Sequence, residues 1–236
     1  MGTKSKNAYT DKQGNVVGLQ ELLKGKKGKQ LQALKLFHCI PISEGCFSKE
    51  YLTLAAYERI VDAKRDGLDL RRRAIEKLGI DEDQVREIDP ICLEGYREFH
   101  DKINPYLADA IDGKGEGSMV SSMYEVTWLF FGDEQVFVYN HGFDTTDDSL
   151  VDTTQEYFYQ DITSFVTSSE SVQKKIWNVN GEGCSSLRKS EMRMVNSELF
   201  RIVVPGETFT CAYHDDGDTA RQISAMKQKL REKKQQ

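Results

Sequence analysis

The spacing of hydrophobic residues changes from a helical period to a period of two near Gly117, and this limits the folds open to the chain. Before Gly117, apolar residues recur on one face of each of two predicted helices: Leu54, Tyr57, Ile60 and Val61 on the first, and Leu70, Ala74 and Leu78 on the second. After Gly117, residues from Met123 to Phe131 alternate between two faces, as in a strand. The sequence therefore predicts a helical part followed by an antiparallel β part.

Glycines and capping residues define the expected helix ends. Gly67 ends the first helix, and Gly79 caps the second. A third, short helix begins with the capping box of residues 81–84 and stops before Pro90. Residues 31–116 thus form a predicted helical region. Its last part, residues 91–116, is a connector whose first nine residues fit either a strand or the start of a helix.

Turn residues separate a series of short strands in the second half. Gly132 and Asp133 predict a tight hairpin, with return-strand residues from Gln135 to Asn140. Further runs of strand character are Glu156–Tyr159, Ile162–Thr167, Lys175–Val179, Glu191–Asn196, Leu199–Val204 and Thr208–Tyr213. Asp218 then opens a predicted helix that presents Ile223, Met226 and Leu230 on one face.

This order of strands and a final helix resembles a pleckstrin-homology-like (PH-like) domain. The run from Tyr157 to Phe165 looks like the mid-domain strands of bacterial PH-like proteins, and Phe200–Gly206 looks like the start of their C-terminal third. The resemblance covers residues 117–236, whereas residues 1–116 match no family. It implies an α+β fold, in which a small N-terminal helical region precedes an antiparallel β-barrel closed by the C-terminal helix.

Charge is distributed unevenly along the chain. Residues 1–30 contain seven lysines and two carboxylates, which predicts a basic, flexible tail, whereas residues 115–173 contain eleven carboxylates and no Lys or Arg. The predicted hairpin at Gly132 is acidic, so it would repel the phosphoinositide headgroups that many PH-like domains bind. The acidic middle and the low pI of 5.4 also argue against specific binding of nucleic acid.

No motif in the sequence identifies a reaction, a metal site or a cofactor. Neither the His38, Cys39 and Cys46 group nor the Cys211 and His214 pair has the spacing of a zinc site. The acidic runs at residues 144–148 and 215–218 lack the spacing of an EF-hand loop. Cys184 lies in a glycine-rich turn with no histidine close in sequence to activate it. We therefore expect no metal, no cofactor and no enzymatic activity.

Composition also gives an expected location. The five cysteines are odd in number and scattered, as in reduced cytoplasmic proteins, and no apolar run is long enough for transmembrane insertion. The N-terminus lacks the apolar segment of a secretory signal. We expect a cytoplasmic protein.

The expected function is protein interaction or scaffolding through an acidic, aromatic-rich surface of the β-sheet. The predicted contact residues are Trp128, Tyr139, Tyr157 and Tyr159, and the predicted partner is another protein of basic character or a second copy of the chain. An equally good interpretation is that the N-terminal helices cover these aromatic side chains. Two functional alternatives remain: association with anionic membranes through Lys24, Lys26, Lys27 and Lys29, and an uncharacterised hydrolase.

Overall fold

The computed structural model describes seven stretches of the chain: residues 9–44, 49–85, 89–98, 104–111, 117–178, 189–214 and 217–233. Its helices are α1 (Leu19–Leu22), α2 (Gly28–Phe37), α3 (Leu54–Asp66), α4 (Leu70–Leu78) and α5 (Asp218–Lys233), with a 3₁₀ turn at Glu82–Val85. Its strands are β1 (Tyr9–Thr10), β2 (Val16–Val17), β3 (Ser43–Glu44), β4 (Lys49–Glu50), β5 (Ile91–Tyr96), β6 (Leu107–Ile111), β7 (Gly117–Ser121), β8 (Met123–Phe131), β9 (Gln135–Asp144), β10 (Leu150–Phe158), β11 (Ser164–Asn178), β12 (Lys189–Val204) and β13 (Glu207–Ala212).

The first large sheet contains four antiparallel strands in the order β10-β9-β8-β5. The predicted hairpin between β8 and β9 is confirmed: the Gly132 N–H donates to the Gln135 carbonyl at 2.9 Å. The sequence left residues 91–99 as either a strand or the start of a helix. The structure has a strand here, since β5 pairs with β8 from Ile91 to Tyr96.

The second large sheet contains five strands in the order β13-β12-β11-β6-β7. Its centre is the long antiparallel pair β11 and β12, which runs continuously where the sequence predicted shorter strands separated by breaks. The connector supplies β6, and β7 follows directly after the connector. The pairing of β6 with β11 is parallel, which joins segments almost 70 residues apart in the chain.

The PH-like barrel expected from the sequence is wrong. The strands belong to separate sheets of four, five, two and two strands, and none of the sheets formed by the described residues closes on itself. The predicted pattern gave strand positions but not their partners, and β5 and β6 come from residues 31–116, the part assigned to the helical region. The final helix does pack as expected, since Ile223 and Met226 are buried against both large sheets. The Leu230 side chain lies outside the described part.

Both faces of the four-stranded sheet are covered. One face packs against the second sheet and α5, through residues such as Leu93, Leu129 and Phe200. The other face packs against α3 and α4, because their apolar stripes lie against alternate residues of β8 and β9. Residues 9–30 are also folded, as Tyr9 and Leu22 are buried, so the prediction of a flexible tail does not describe them.

The two large sheets meet where β13 crosses β5 and β8. A Cβ atom added at Gly95 would lie 2.9 Å from the carbonyl carbon of Tyr213, so only glycine allows this approach. The His214 N–H donates to the Glu94 carbonyl at 2.8 Å, and the Ala212 N–H donates to the Glu125 carboxylate. Main-chain groups of the segment around residues 212–214 therefore hold the two sheets together at this crossing, through one carbonyl and one carboxylate acceptor.

We expect Gly95→Ala to lower the free energy of unfolding by about 2 to 3 kcal/mol, because the added methyl group would press on backbone that cannot rotate away. The matched control is Gly142→Ala, whose Cβ would meet the Val151 Cβ at an ordinary 3.7 Å. The control should leave stability within about 1 kcal/mol of the wild type. Urea unfolding of both variants measures the difference, and equal stabilities would contradict the importance of the crossing.

Candidate functional site

A cleft of about 530 Å³ opens beside this crossing. It is bounded by α3, the end of β5, the start of β8, β12, the segment after β13 and the start of α5. The short segment after β13 holds two of these walls together. The Tyr213 N–H donates to the Glu198 carbonyl at 3.0 Å, and the neighbouring His214 N–H donates to the Glu94 carbonyl. The fold thus brings β5 and β12, which are distant in sequence, to the same opening.

Five carboxylates line the cleft, and they come from three segments that are distant in sequence. They are Glu58 and Asp62 of α3, Glu94 of β5, Glu98 just after β5, and Glu198 of β12. Alternation along the extended segment 94–98 places its first and last residues on the same side, and the i,i+4 spacing of Glu58 and Asp62 does the same on the helix. The cleft is therefore strongly acidic.

Cations inside the protein neutralise this acidity only in part. The Arg65 guanidinium lies 3.1 Å from a Glu94 oxygen and 3.2 Å from an Asp62 oxygen. In the described part of the chain, no Lys or Arg forms an ion pair with Glu58, Glu98 or Glu198. Three carboxylates of the cleft thus have no internal counter-ion among the described residues.

Glu98 is the most perturbed of these carboxylates. Burial raises the pKa of Glu98 to about 7, and the nearby negative charge of Glu125 acts in the same direction. The Ser197 hydroxyl donates a hydrogen bond to Glu98, which opposes the rise only in part. A carboxylate desolvated in a cleft is costly to the folded protein, and such groups concentrate at functional sites.

Glu125 is better compensated than Glu98, although it is only 1% exposed. Its carboxylate lies 2.5 Å from the Arg97 guanidinium and also accepts the Ala212 N–H and the Asn140 amide. Glu125 therefore serves as a structural bridge between the sheets, while its charge adds to the negative potential near Glu98.

Tyrosines form the aromatic part of the cleft lining. Tyr96 and Tyr124 are half-buried and lie with ring centroids 5.3 Å apart in an edge-to-face arrangement. Burial raises the pKa of both phenols, so both remain neutral. Carboxylates beside aromatic rings are the surroundings that favour an ammonium or guanidinium group, through charge and through cation–π attraction.

Three of the four predicted aromatic contact residues lie in the core. Tyr139 is fully buried beneath α4, and Tyr157 and Tyr159 are buried between the two sheets at 6% and 5% exposure. Phe158, between them, is the residue of that run that points outward. Trp128 is half-buried, so it retains a surface at which a partner could touch it.

The four predicted membrane-contact lysines lie elsewhere. Lys24, Lys27 and Lys29 are exposed around the junction of α1 and α2, and Lys26 is partly covered near Glu21. None of the four lines the acidic cleft.

The acidic run at residues 144–148 contacts lysines. The Lys12 ammonium lies 2.7 Å from a carboxylate oxygen of Asp144 and 2.5 Å from one of Asp147, and Lys64 donates to the main-chain carbonyls of the same two residues. Among the described residues no group of three or more His, Cys, Asp or Glu side chains could hold a metal. Cys46, Cys184 and residues 215–216, considered in the sequence as ligands or nucleophiles, lie outside the described residues.

A second polar cluster centres on Asp152 and is also internally paired. One carboxylate oxygen lies 2.6 Å from His141 Nδ1 and 2.9 Å from the Tyr139 hydroxyl, and the other contacts Arg73 of α4. Partial burial alone would raise the pKa of Asp152, but these hydrogen bonds lower it to about 2. This cluster fastens α4 to the sheet.

Sequence reasoning missed the cleft because its carboxylates looked like solvated residues. Glu58 and Asp62 fell on the polar face of a predicted helix, and the segment 94–98 lay in the connector. One signal was present: a lone glycine at position 95 inside a strand pattern indicates close backbone approach.

No helix of the described ranges is long and apolar enough to cross a membrane.

We expect Glu98→Gln to stabilise the protein above neutral pH. Because the folded pKa of Glu98 is about 7 against a usual 4.5, wild-type stability should fall as pH rises from 4.5 to 7. The variant should lose this slope and be more stable at pH 8 by about 2 kcal/mol, with no gain near pH 4.

Urea unfolding across this pH range measures the effect, with Glu58→Gln as the control because Glu58 is exposed. A loss of stability in Glu98→Gln at pH 8, or an equal gain at both ends of the range, would contradict the cost assigned to the Glu98 charge.

Comparison of the chain with protein-family models, with curated proteins and with solved structures finds no match in any of the three.

Proposed function

We propose that this protein is a non-catalytic interaction module that binds a basic segment of a partner protein in the acidic cleft. The observation that carries the proposal is the set of cleft carboxylates without an internal counter-ion in the described chain, above all the desolvated Glu98. A bound lysine or arginine side chain would supply the missing positive charge. The binding site is therefore the cleft, not the buried aromatic residues first predicted from sequence.

Electrostatics would give this interaction its specificity. The exposed and half-buried carboxylates at the rim, Glu58 and Glu198, would attract a basic segment over a distance of about 8 to 10 Å at physiological salt. Inside the cleft, the rings of Tyr96 and Tyr124 would contact the bound cation through cation–π attraction. Most wall residues belong to strands or to α3, so little ordering of the cleft is needed on binding.

Charge reversal tests the proposal. We expect the double variant Glu58→Lys with Glu198→Lys to weaken binding of a fluorescein-labelled Arg-Gly repeat peptide at least about tenfold at low salt, because two attractive charges become repulsive. Fluorescence anisotropy measures the dissociation constant, and wild-type binding should weaken as salt is raised.

The matched control is Asp133→Lys with Glu134→Lys, which changes the charge equally at the exposed β8–β9 hairpin, outside the cleft. This control should bind within about twofold of the wild type. Equal losses in both double variants would mean that only overall charge matters, and that result would overturn the assignment of the cleft.

A further inference from the structure

Strand β12 is much longer than the strand that pairs with it on its outer side. On one side, β11 pairs with β12 from Lys189 to Val203. On the other side, β13 pairs only with Leu199–Val204, and the Tyr213 N–H adds one further bond to the Glu198 carbonyl. Before Glu198, no strand of the described residues pairs with this side of β12. The strand therefore has an open edge that begins at the cleft.

The register of β12 with β13 shows which main-chain groups face the open edge. Residues 198 and 213 form a hydrogen-bonded pair, so the even-numbered residues of β12 direct their N–H and C=O groups toward the β13 side. Along the open edge these residues include Met192, Met194 and Asn196, and all three are exposed. Such an edge is a template on which a further strand can pair.

The side chains along the open edge change from apolar to acidic toward the cleft. Alternation places four of them on one face of β12, at intervals of about 6.6 Å: Met192, Met194, Asn196 and Glu198. Asn196 and Glu198 line the cleft together with Glu98. The two methionines are 56% and 61% exposed, and methionine adapts readily to different apolar partners. A strand laid along this edge would meet carboxylates at one end and methionines at the other.

We propose that an extended segment of the partner adds to this open edge as a strand antiparallel to β12 and in line with β13, with a basic residue opposite Asn196 and apolar residues two and four positions later, opposite Met194 and Met192. The inference rests on the proposed function of the cleft and adds the binding mode and the sequence pattern of the partner.

The chemistry of the edge identifies the occupant as a basic segment of another protein. Main-chain hydrogen bonds to an open strand supply affinity, while alternate side chains supply specificity. At the cleft end, Glu98 and Glu198 have no cation partner among the described residues, so they favour a positively charged side chain on the added strand.

Alternate N-methylation of one peptide tests the strand pairing with wild-type protein. The parent peptide is acetyl-Arg-Thr-Val-Thr-Val with fluorescein at its C-terminus. Methyl groups on both valine nitrogens remove the donors that would face Met194 and Met192, so binding should weaken at least about tenfold. Methyl groups on both threonine nitrogens, which would point away from β12, should leave the affinity within about twofold of the parent. Fluorescence anisotropy at low salt measures all three dissociation constants.

Met194→Pro tests the same edge from the side of the protein. Proline removes the outward N–H without removing a bond to β11, so binding of the parent peptide should weaken about three- to tenfold. The matched control is Thr154→Pro on β10, the edge strand of the other large sheet. The Tyr159 N–H bonds to the Glu134 carbonyl of the neighbouring chain, which places the N–H of Thr154 on the outer side too. This control should bind the parent peptide as the wild type does.

The outcomes separate this inference from the proposed function. If the two methylated peptides bind equally, or if the Arg-Gly repeat peptide binds and the parent peptide does not, the strand pairing is wrong while the cleft assignment stands. A dimer of the free protein that Met194→Pro dissociates would assign the edge to a second copy of the chain and would also overturn the inference. If neither the parent peptide nor the Arg-Gly repeat peptide binds at low salt, the proposed function fails and the inference fails with it.

Discussion

The arrangement of both large sheets depends on the close crossing of β13 over β5 at Gly95. At this point the backbone itself makes the contacts, because the Tyr213 and His214 N–H groups bond to Glu198 and Glu94 on either side. Such bonds tolerate little displacement, and the absence of a Cβ at Gly95 permits the separation they require. The same crossing determines which carboxylates meet, since the two acceptor residues each carry an acidic side chain at the opening. The crossing at Gly95 therefore both joins the two sheets and brings the carboxylates of the cleft together.

Three carboxylates of the cleft differ from the other acidic clusters of the described structure because no Lys or Arg pairs with them. Asp144 and Asp147 are paired with Lys12, and Asp152 is paired with Arg73 and hydrogen-bonded to Tyr139. These carboxylates contribute to folding. Glu98 instead raises the free energy of the folded protein when it is ionised, because burial removes water without supplying a cation. A site that lowers stability in this way is expected where the binding of an external ligand offsets the lost free energy.

Local structure followed from the sequence far better than long-range pairing did. The helix ends at Gly67 and Gly79 and the hairpin at Gly132 were predictable, because capping and turn formation depend on neighbouring residues. The parallel pairing of β6 with β11 was not, since no local pattern records which distant strand becomes a neighbour. The covering of Tyr157 and Tyr159 by the second sheet was not predictable for the same reason: alternation tells which side of a strand a residue occupies but not what covers that side. The cleft brings together carboxylates from three segments that are distant in sequence, so it was visible only in the folded structure.

Zero-length cross-linking tests the central claim most directly. A carbodiimide joins a carboxylate to an amine in direct contact, so a lysine-containing basic peptide bound to the protein can be attached and its position mapped by mass spectrometry. The account predicts cross-links concentrated at Glu58, Glu98 and Glu198, which have no internal cation partner in the described chain. Cross-links spread over exposed carboxylates such as Asp133, Glu134 and Glu156, with none in the cleft, would contradict it.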